Sequence, residues 1–182
     1  MIKTIGHSNH PIERFVELLK NGGVEVLVDV RSTPWSRRFP QVGRERLAQA
    51  LAAACIEYRW EGEALGGKNG GSYDAAAARP EFKEALGRLL ARQDERSHCL
   101  MCAEKEPLDC HRTVLVSRRL AEHGARIEHL LADGGTRPHA DIEKTLLAKG
   151  GGPDLFTLPK DRPTRLANAW TARERAMKSR TS

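Results

Sequence analysis

Short apolar segments alternate with amphipathic segments along most of this 182-residue chain. Residues 24–30 read Val-Glu-Val-Leu-Val-Asp-Val, a composition typical of a β-strand. Before them, Phe15, Leu18 and Leu19 recur at the spacing of one helix face. Such alternation predicts βαβ units, whose right-handed crossovers place helices on both sides of a sheet. We therefore expect an α/β fold with a mostly parallel central sheet of about five strands and helices on both faces.

The same patterns locate the individual elements. Strands are predicted at residues 2–5, 24–30, 56–60, 97–102 and 127–132. Helices are predicted to follow Pro11 and Pro80 and to cover 44–54, 112–123 and 139–148. Residues 164–178 form either a short helix or part of a loose tail.

Positive charge is concentrated at the C-terminal end of the sequence. The chain has a net charge of +6, and residues 160–182 contribute seven basic and two acidic side chains to it. We therefore divide the chain into an α/β domain over residues 1–152 and a basic C-terminal extension over residues 153–182. The extension suits a polyanionic partner such as nucleic acid, DNA included, or only improves solubility.

Length and apolar patterning exclude several classes of protein. A chain of 182 residues can bury a sufficient core without disulfides or metals. No apolar run approaches the roughly 18 residues of a membrane span, and residues 1–7 do not resemble a secretion signal. We expect a cytoplasmic protein without membrane association, in which the four cysteines are reduced thiols.

Polar side chains follow the carboxyl end of each predicted strand, the edge at which open α/β sheets bind ligands. In chain order they are His7 and Ser8, Asp29 and Arg31, Glu61 and Glu63 before the Gly66-Gly67 turn, Glu104 and Cys110-His111-Arg112, and Asp133. Because these loops converge at one edge of a parallel sheet, the sequence predicts a functional site there.

Cys110 precedes the helix predicted over 112–123. Free amides at a helix start lower the pKa of a thiol, and the charge of Arg112 adds to that effect. The same amides also bind anions. The alternative is that Cys110 is a buried structural thiol.

Two further interpretations of the cysteines are weaker. Cys102, Cys110 and His111 make an irregularly spaced ligand set that lacks a fourth member, so we expect neither a metal nor another cofactor. Cys99 and Cys102 are three apart on a strand and point to opposite faces, which argues against a redox pair.

The loop after the second strand is rich in arginine and aromatic residues, namely Arg31, Trp35, Arg37, Arg38 and Phe39. Guanidinium groups bind phosphate and aromatic rings stack on bases, so this loop favours a nucleotide or single-stranded nucleic acid. Alternatively, the aromatic rings cap the core and the arginines pair with Glu45, Glu61 or Glu63.

Several of these segments together resemble the domain-of-unknown-function family 488, DUF488. They are Thr4-Ile5-Gly6-His7-Ser8, Asp29-Val30-Arg31, Leu65-Gly66-Gly67, Leu100-Met101-Cys102-Ala103-Glu104 and Cys110-His111-Arg112, in order between about residues 2 and 134. The resemblance implies a compact α/β domain whose motif residues lie at the predicted site. The motif residues it marks are His7, Ser8, Asp29, Arg31, Gly66, Gly67, Cys102, Glu104, Cys110, His111 and Arg112.

The first functional hypothesis is an enzyme that hydrolyses an N-glycosidic or phosphoester bond of a nucleotide or nucleic-acid base. Asp29 or Glu104 would position water or stabilise an oxocarbenium-like centre, and His7 would assist the leaving group. Arg31 and Arg112 would hold phosphate. Trp35 would stack on an extruded base. The other predicted substrate contacts are Ser8, Arg37, Arg38, Gly66, Gly67 and His111.

Two alternative functions remain open, one a different kind of enzyme and one a protein without catalysis. One is a thiol hydrolase, or a sulfur or phosphoryl transferase, with Cys110 as the nucleophile. Neighbouring residues at a helix start diverge by about 100°, which favours His7 over His111 as its base. The other is a module that binds a nucleotide or nucleic acid without catalysis.

Overall fold

Five parallel strands and one antiparallel strand form the central sheet of the computed structural model, which describes residues 1–68, 71–149 and 161–180. The strands are β1 (Ile2–Gly6), β2 (Val26–Asp29), β3 (Glu57–Trp60), β4 (His98–Cys102), β5 (Ile127–Leu130) and β6 (Thr136–Pro138). Their order is β3-β2-β4-β1-β5-β6, with only β6 antiparallel to its neighbour. The expected α/β class and mostly parallel sheet are confirmed.

Helices connect these strands close to the predicted positions. They are α1 (Ile12–Asn21), α2 (Arg44–Ala53), α3 (Gly62–Leu65), α4 (Tyr73–Ala78), α5 (Pro80–Ala91), α6 (Arg118–Glu122), α7 (His139–Lys149) and α8 (Arg162–Lys178). A π-helical segment over Arg112–Ser117 leads into α6, and the hydroxyl of Ser117 donates to the carbonyl of Arg112 at 2.8 Å. Single 3₁₀ turns lie at Pro40–Val42 and Pro107–Asp109.

The core lies on both faces of the sheet, because side chains of the buried strands alternate between the faces. On β4, Cys99 and Met101 pack in one apolar cluster, whereas Leu100 and Cys102 pack in the other. The first cluster includes residues of α1 and α2, and the second includes residues of α5, α7 and α8. Cys99 and Cys102 therefore lie on opposite faces, as expected.

Helix α8 packs on the α/β body instead of extending into solvent. Its Trp170 is 2% exposed and stacks on the ring of His139, with centroids 5.8 Å apart. Nε of Arg173 donates to the carbonyl of Leu108 at 2.7 Å. The predicted domain boundary between residues 152 and 153 lies outside the described residues. Within the described ranges, none of the helices has the length and apolar character needed to cross a membrane.

Candidate functional site

A pocket of about 770 Å³ opens at the carboxyl edge of the sheet. The ends of β1, β2 and β4 supply its floor, and its lining includes His7, Arg31, Cys102, Glu104 and His111. The loop after β2 supplies one wall, and the end of α8 supplies part of another. The pocket thus lies where the strand-end residues predicted a site.

Four potential ligand or acid–base groups meet where β4 ends, and three of them, Cys102, Glu104 and His111, line the pocket. Strand β4 ends at Cys102, and the 3₁₀ turn brings the chain back so that Cys110 and His111 face it. Oε2 of Glu104 lies 3.2 Å from Sγ of Cys102 and 3.0 Å from Sγ of Cys110. Nδ1 of His111 lies 3.4 Å from Sγ of Cys102. We call Cys102, Glu104, Cys110 and His111 the thiol cluster.

Burial and mutual contacts determine the ionisation of the thiol cluster. Burial raises the pKa of the Cys102 thiol well above its usual value, and the neighbouring Cys110 raises it further. Burial also raises the pKa of Glu104, with a further increase from Cys110. For Cys110, burial opposes ionisation, but the hydrogen bond from Cys102 and the charge of Arg112 outweigh it and lower the pKa well below its usual value. Cys110 is therefore the more acidic of the two thiols.

The orientation of His111 is fixed by backbone contacts. Its Nε2 lies 2.9 Å from the carbonyl of Val30 and donates to it, which turns Nδ1 toward Cys102. A Cβ at Gly67 would lie 2.7 Å from Cγ of His111, so only glycine lets the loop pack this closely. Gly67 lines the pocket, whereas a Cβ at the neighbouring Gly66 would meet the side chain of Ser32 at 2.3 Å.

Arg112 holds the backbone that carries Glu104. Its guanidinium is buried and donates from Nη1 to the carbonyl of Glu104 at 2.6 Å and from Nη2 to that of Lys105 at 3.2 Å. A Cβ at Gly6 would lie 1.9 Å from the same Glu104 carbonyl, so this close approach also requires glycine. Arg112 lies outside the pocket lining, and these contacts position the backbone of Glu104; its contact with substrate stays a prediction.

Asp29 is buried and fully engaged by its neighbours. Its oxygens accept four hydrogen bonds, from the backbone N–H and the side chain of Arg31 and from the hydroxyl of Tyr58. A carboxylate with its oxygens so occupied has little capacity left to activate water. Asp29 does not line the pocket, and these contacts support a role in holding Arg31.

His7 completes the contacts around Arg31. Its Nδ1 donates to the carbonyl of Ser8 at 2.8 Å, and its Nε2 accepts from Nη1 of Arg31 at 3.3 Å. Burial, reinforced by the charge of Arg31, lowers the pKa of His7 to about 4. His7 is therefore neutral near pH 7 and unsuited to protonate a leaving group. Ser8 lies outside the lining, and its hydroxyl donates to Asn9 at 3.3 Å.

The pocket wall from the loop after β2 is basic and partly aromatic. Arg37, Arg38 and Lys68 line the pocket, and none of the three forms an ion pair within the part of the chain that the structure describes. Trp35 is 58% exposed at the same wall, so it does not cap the core. The sequence also allowed an ion pair between an arginine of this loop and Glu61. In the structure, Glu61 pairs with Arg88 instead of Arg37 or Arg38.

Three residues that line the pocket, Tyr73, Lys178 and Arg180, were not predicted as site residues. Tyr73 begins α4, and Lys178 and Arg180 reach the pocket from the end of α8. Asp109 forms ion pairs with Arg173 and Arg180, which joins α8 to the turn before Cys110. The apolar residues Leu166, Ala169, Trp170 and Met177 recur at roughly helical spacing and indicate a packed helix, but not the surface on which it packs.

The thiol cluster has the donor types and spacing to hold a metal ion. One ligand atom each from Cys102, Cys110 and His111 lies within 4.8 Å of the others. In the sequence, these ligands are irregularly spaced and lack a fourth member, which predicted that no metal is bound. The structure brings these three residues together and places the Glu104 carboxylate beside them.

One comparison with known proteins gives a match. The model of the family described as "Domain of unknown function DUF488" matches residues 11–119, which is more than half of the chain. The matched range contains the thiol cluster and the basic wall of the pocket. Neither a curated protein nor a solved structure matches the chain.

Proposed function

Because the chain belongs to the DUF488 family, whose description assigns no activity, we propose a function from the site itself: a hydrolase of phosphate-bearing nucleotides or nucleic acid. One observation carries this proposal. The Glu104 carboxyl lies in the floor of a pocket whose wall presents three cations without ion-pair partners among the described residues, Arg37, Arg38 and Lys68.

The pocket supports binding of a nucleotide by its size and its lining. A volume of about 770 Å³ falls within the range of small-molecule sites. Arg37, Arg38 and Lys68 are suited to bind phosphate oxygens, and Arg37 and Arg38 can do so with two donors each. The exposed ring of Trp35 is placed to stack on a base at the pocket wall.

Glu104 is the acid–base group in this proposal. Its carboxylate takes a proton from a bound water, and the oxygen of that water attacks the sugar C1′ as the N-glycosidic bond breaks. The bond electrons go to the departing base, which then receives the proton from Glu104. Asp29 has no part in this step because its oxygens are occupied by Arg31 and Tyr58. A phosphoester bond is the other target for the same attack by water.

Thiol catalysis is the second candidate, favoured by one contact. Cys102 lines the pocket, and its Sγ lies 3.4 Å from Nδ1 of His111, within reach of a general base. The predicted nucleophile, Cys110, has the lower thiol pKa but does not line the pocket, whereas Cys102 does. In this candidate Cys102 therefore replaces Cys110 as the attacking thiol, and His111 replaces His7 as its base.

Product analysis with the full chain tests the proposal. The protein is incubated with mononucleotides and with single-stranded oligonucleotides, and chromatography detects released base while a phosphate assay detects released phosphate. We expect release of free base, with phosphate release identifying phosphoester cleavage instead. Inactivation by iodoacetamide through Cys102 favours the thiol candidate. Tight binding with no product from any substrate contradicts both and supports a binding module.

A further inference from the structure

The thiol cluster brings together two thiols, an imidazole and a carboxyl, and we propose that it binds one Zn²⁺ ion through Cys102, Cys110 and His111. The three residues come from the end of β4 and the start of the helix that follows it. Binding requires only these side chains. The catalytic role given below for the ion also rests on the proposed hydrolase function.

The spacing of the donor atoms fits a tetrahedral ion. Zinc lies about 2.3 Å from thiolate sulfur and about 2.0 Å from imidazole nitrogen, which places neighbouring donors roughly 3.5 Å apart. Sγ of Cys102 and Nδ1 of His111 are 3.4 Å apart, and the three donor atoms lie within 4.8 Å of one another. An ion at their centre therefore needs only small side-chain movements.

The surroundings of His111 match those of a metal-bound histidine. Such a histidine generally donates its second ring N–H to a carbonyl or carboxylate, which directs the other nitrogen to the metal. Here Nε2 of His111 donates to the carbonyl of Val30 at 2.9 Å, and the packing of Gly67 against the ring limits its rotation. Nδ1 is thereby available to the ion.

The donor types select zinc over the common hard cations. Two thiols with one imidazole favour Zn²⁺, whereas Mg²⁺ and Ca²⁺ require oxygen donors. The other two cysteines provide an internal comparison. Cys99 is buried on the opposite face of β4, and Cys55 is exposed, and neither belongs to the cluster.

The fourth coordination position would face the pocket. Cys102 and His111 line the pocket and Cys110 lies behind them, so an ion among the three is open on the pocket side. Oε2 of Glu104 lies beside that position, within 3.2 Å of both sulfur atoms. Zinc deaminases of nucleobases activate water with the same donor set, a His-Cys-Cys ion next to a glutamate. The ion would lower the pKa of a bound water whose proton Glu104 accepts.

Metal titration of the chelator-treated full chain tests the site. We expect one zinc per chain by calorimetry and elemental analysis. Replacement by Co²⁺ should give the charge-transfer and visible bands of a tetrahedral thiolate site. Cys102→Ser, Cys110→Ser and His111→Gln should each weaken zinc binding about 10-fold or more, whereas Cys99→Ser and Cys55→Ser should retain it.

The cobalt spectrum of the unaltered protein keeps the proposal falsifiable even if a variant fails to fold. Absence of thiolate-to-cobalt bands, or zinc binding equally affected by Cys99→Ser, overturns the site. The two proposals also fail in different ways. Stoichiometric zinc without hydrolysis of any nucleotide leaves the site intact and removes the hydrolase, whereas hydrolysis that survives complete removal of zinc removes the catalytic role of the ion.

Discussion

Arg31 and Asp29 form a buried two-point ion pair at the edge of the pocket, with Nε 2.9 Å from Oδ1 and Nη2 2.7 Å from Oδ2. Their side chains are 6% and 0% exposed. The pair fixes the start of the loop that carries the basic pocket wall. Asp29 therefore positions Arg31, which lines the pocket.

Asp29→Asn should destabilise the fold by about 3–5 kcal/mol, because it leaves the charge of Arg31 buried without its counter-charge. Tyr58→Phe is the matched control, since it removes one hydrogen bond to the same carboxylate and should cost about 1 kcal/mol. Urea denaturation of both variants gives the comparison. Equal free energies of unfolding for the two variants would show that the ion pair stabilises the fold no more than the single hydrogen bond from Tyr58 does.

Replacing a single basic side chain of the pocket wall should lower the affinity for single-stranded oligonucleotides. It should also make that affinity less dependent on salt concentration. Arg37→Ala, Arg38→Ala and Lys68→Ala should each reduce the slope of log affinity against log salt by about 0.7. Lys144→Ala is the control, because Lys144 is exposed and pairs with Asp141 away from the pocket. Fluorescence anisotropy at several salt concentrations measures the slope. If Lys144→Ala changed the slope as much as the three pocket variants do, the pocket wall would not be the binding surface.

The two tryptophans Trp35 and Trp170 should respond in opposite ways to replacement by alanine. Trp170→Ala should cost about 3–5 kcal/mol of stability, because a fully packed ring leaves a cavity. Trp35→Ala should leave stability within about 0.5 kcal/mol and weaken nucleotide binding by about 1–3 kcal/mol through lost stacking. Thermal unfolding and ligand titration on both variants separate the two effects. Loss of stability in Trp35→Ala would show that its ring supports the fold.

The packing of α8 also changes how the basic extension is tested. Deleting residues 160–182 should weaken DNA binding and flatten its salt dependence, as the charge of the extension predicts. The same deletion removes Trp170 from the core, so the truncated chain should also be less stable. Arg180→Ala retains Trp170 and tests the charge separately. Unchanged DNA affinity in both would exclude the extension from binding.

Acid should destabilise the fold between pH 6.5 and about 4 through its buried histidines. Burial lowers the pKa of His139 to about 4 and, together with the charge of Arg31, that of His7 to about 4. The unfolded chain therefore takes up protons first as the pH falls below 6.5. The stability that these two groups contribute is complete above 6.5 and is lost toward pH 4, on the order of 3 kcal/mol for each.

His139→Phe measures the share of this pH dependence that comes from one group. Phenylalanine preserves a ring against Trp170 but does not titrate, so the slope of stability against pH should flatten. Urea denaturation across the pH range is the measurement, and an unaltered slope in His139→Phe would contradict this assignment.

Much of the fold follows from patterns within short segments. The run of valines over 24–30 predicted a buried strand, which β2 confirms. The spacing of Cys99 and Cys102 predicted that their side chains lie on opposite faces of a strand, which β4 confirms. Strand β6 was missed because Thr136–Pro138 is a short segment of partly exposed residues without an alternating apolar pattern. The packing of α8 depends on a contact between Trp170 and His139 that local spacing does not encode.

The sequence predicted where the pocket lies, but not the contacts that the surrounding residues make. Strand-end logic placed His7, Asp29 and Glu104 at one edge because parallel strands end together. Their roles depend on partners distant in sequence. Tyr58 and Arg31 donate hydrogen bonds to the carboxylate of Asp29. The 3₁₀ turn brings Cys110 to the carboxyl group of Glu104, which also contacts Cys102. The irregular sequence spacing of Cys102, Cys110 and His111 gave little indication of such a cluster.

The rate of hydrolysis by Glu104→Gln compared with that by Cys99→Ser tests the central claim most directly. Glutamine keeps the size of the side chain but cannot accept a proton, so single-turnover cleavage of the best nucleotide substrate should fall about 100-fold or more. Cys99→Ser, which alters a buried thiol away from the pocket, should retain the rate of the unaltered protein. A Glu104→Gln protein that cleaves as fast as the unaltered one would contradict the account.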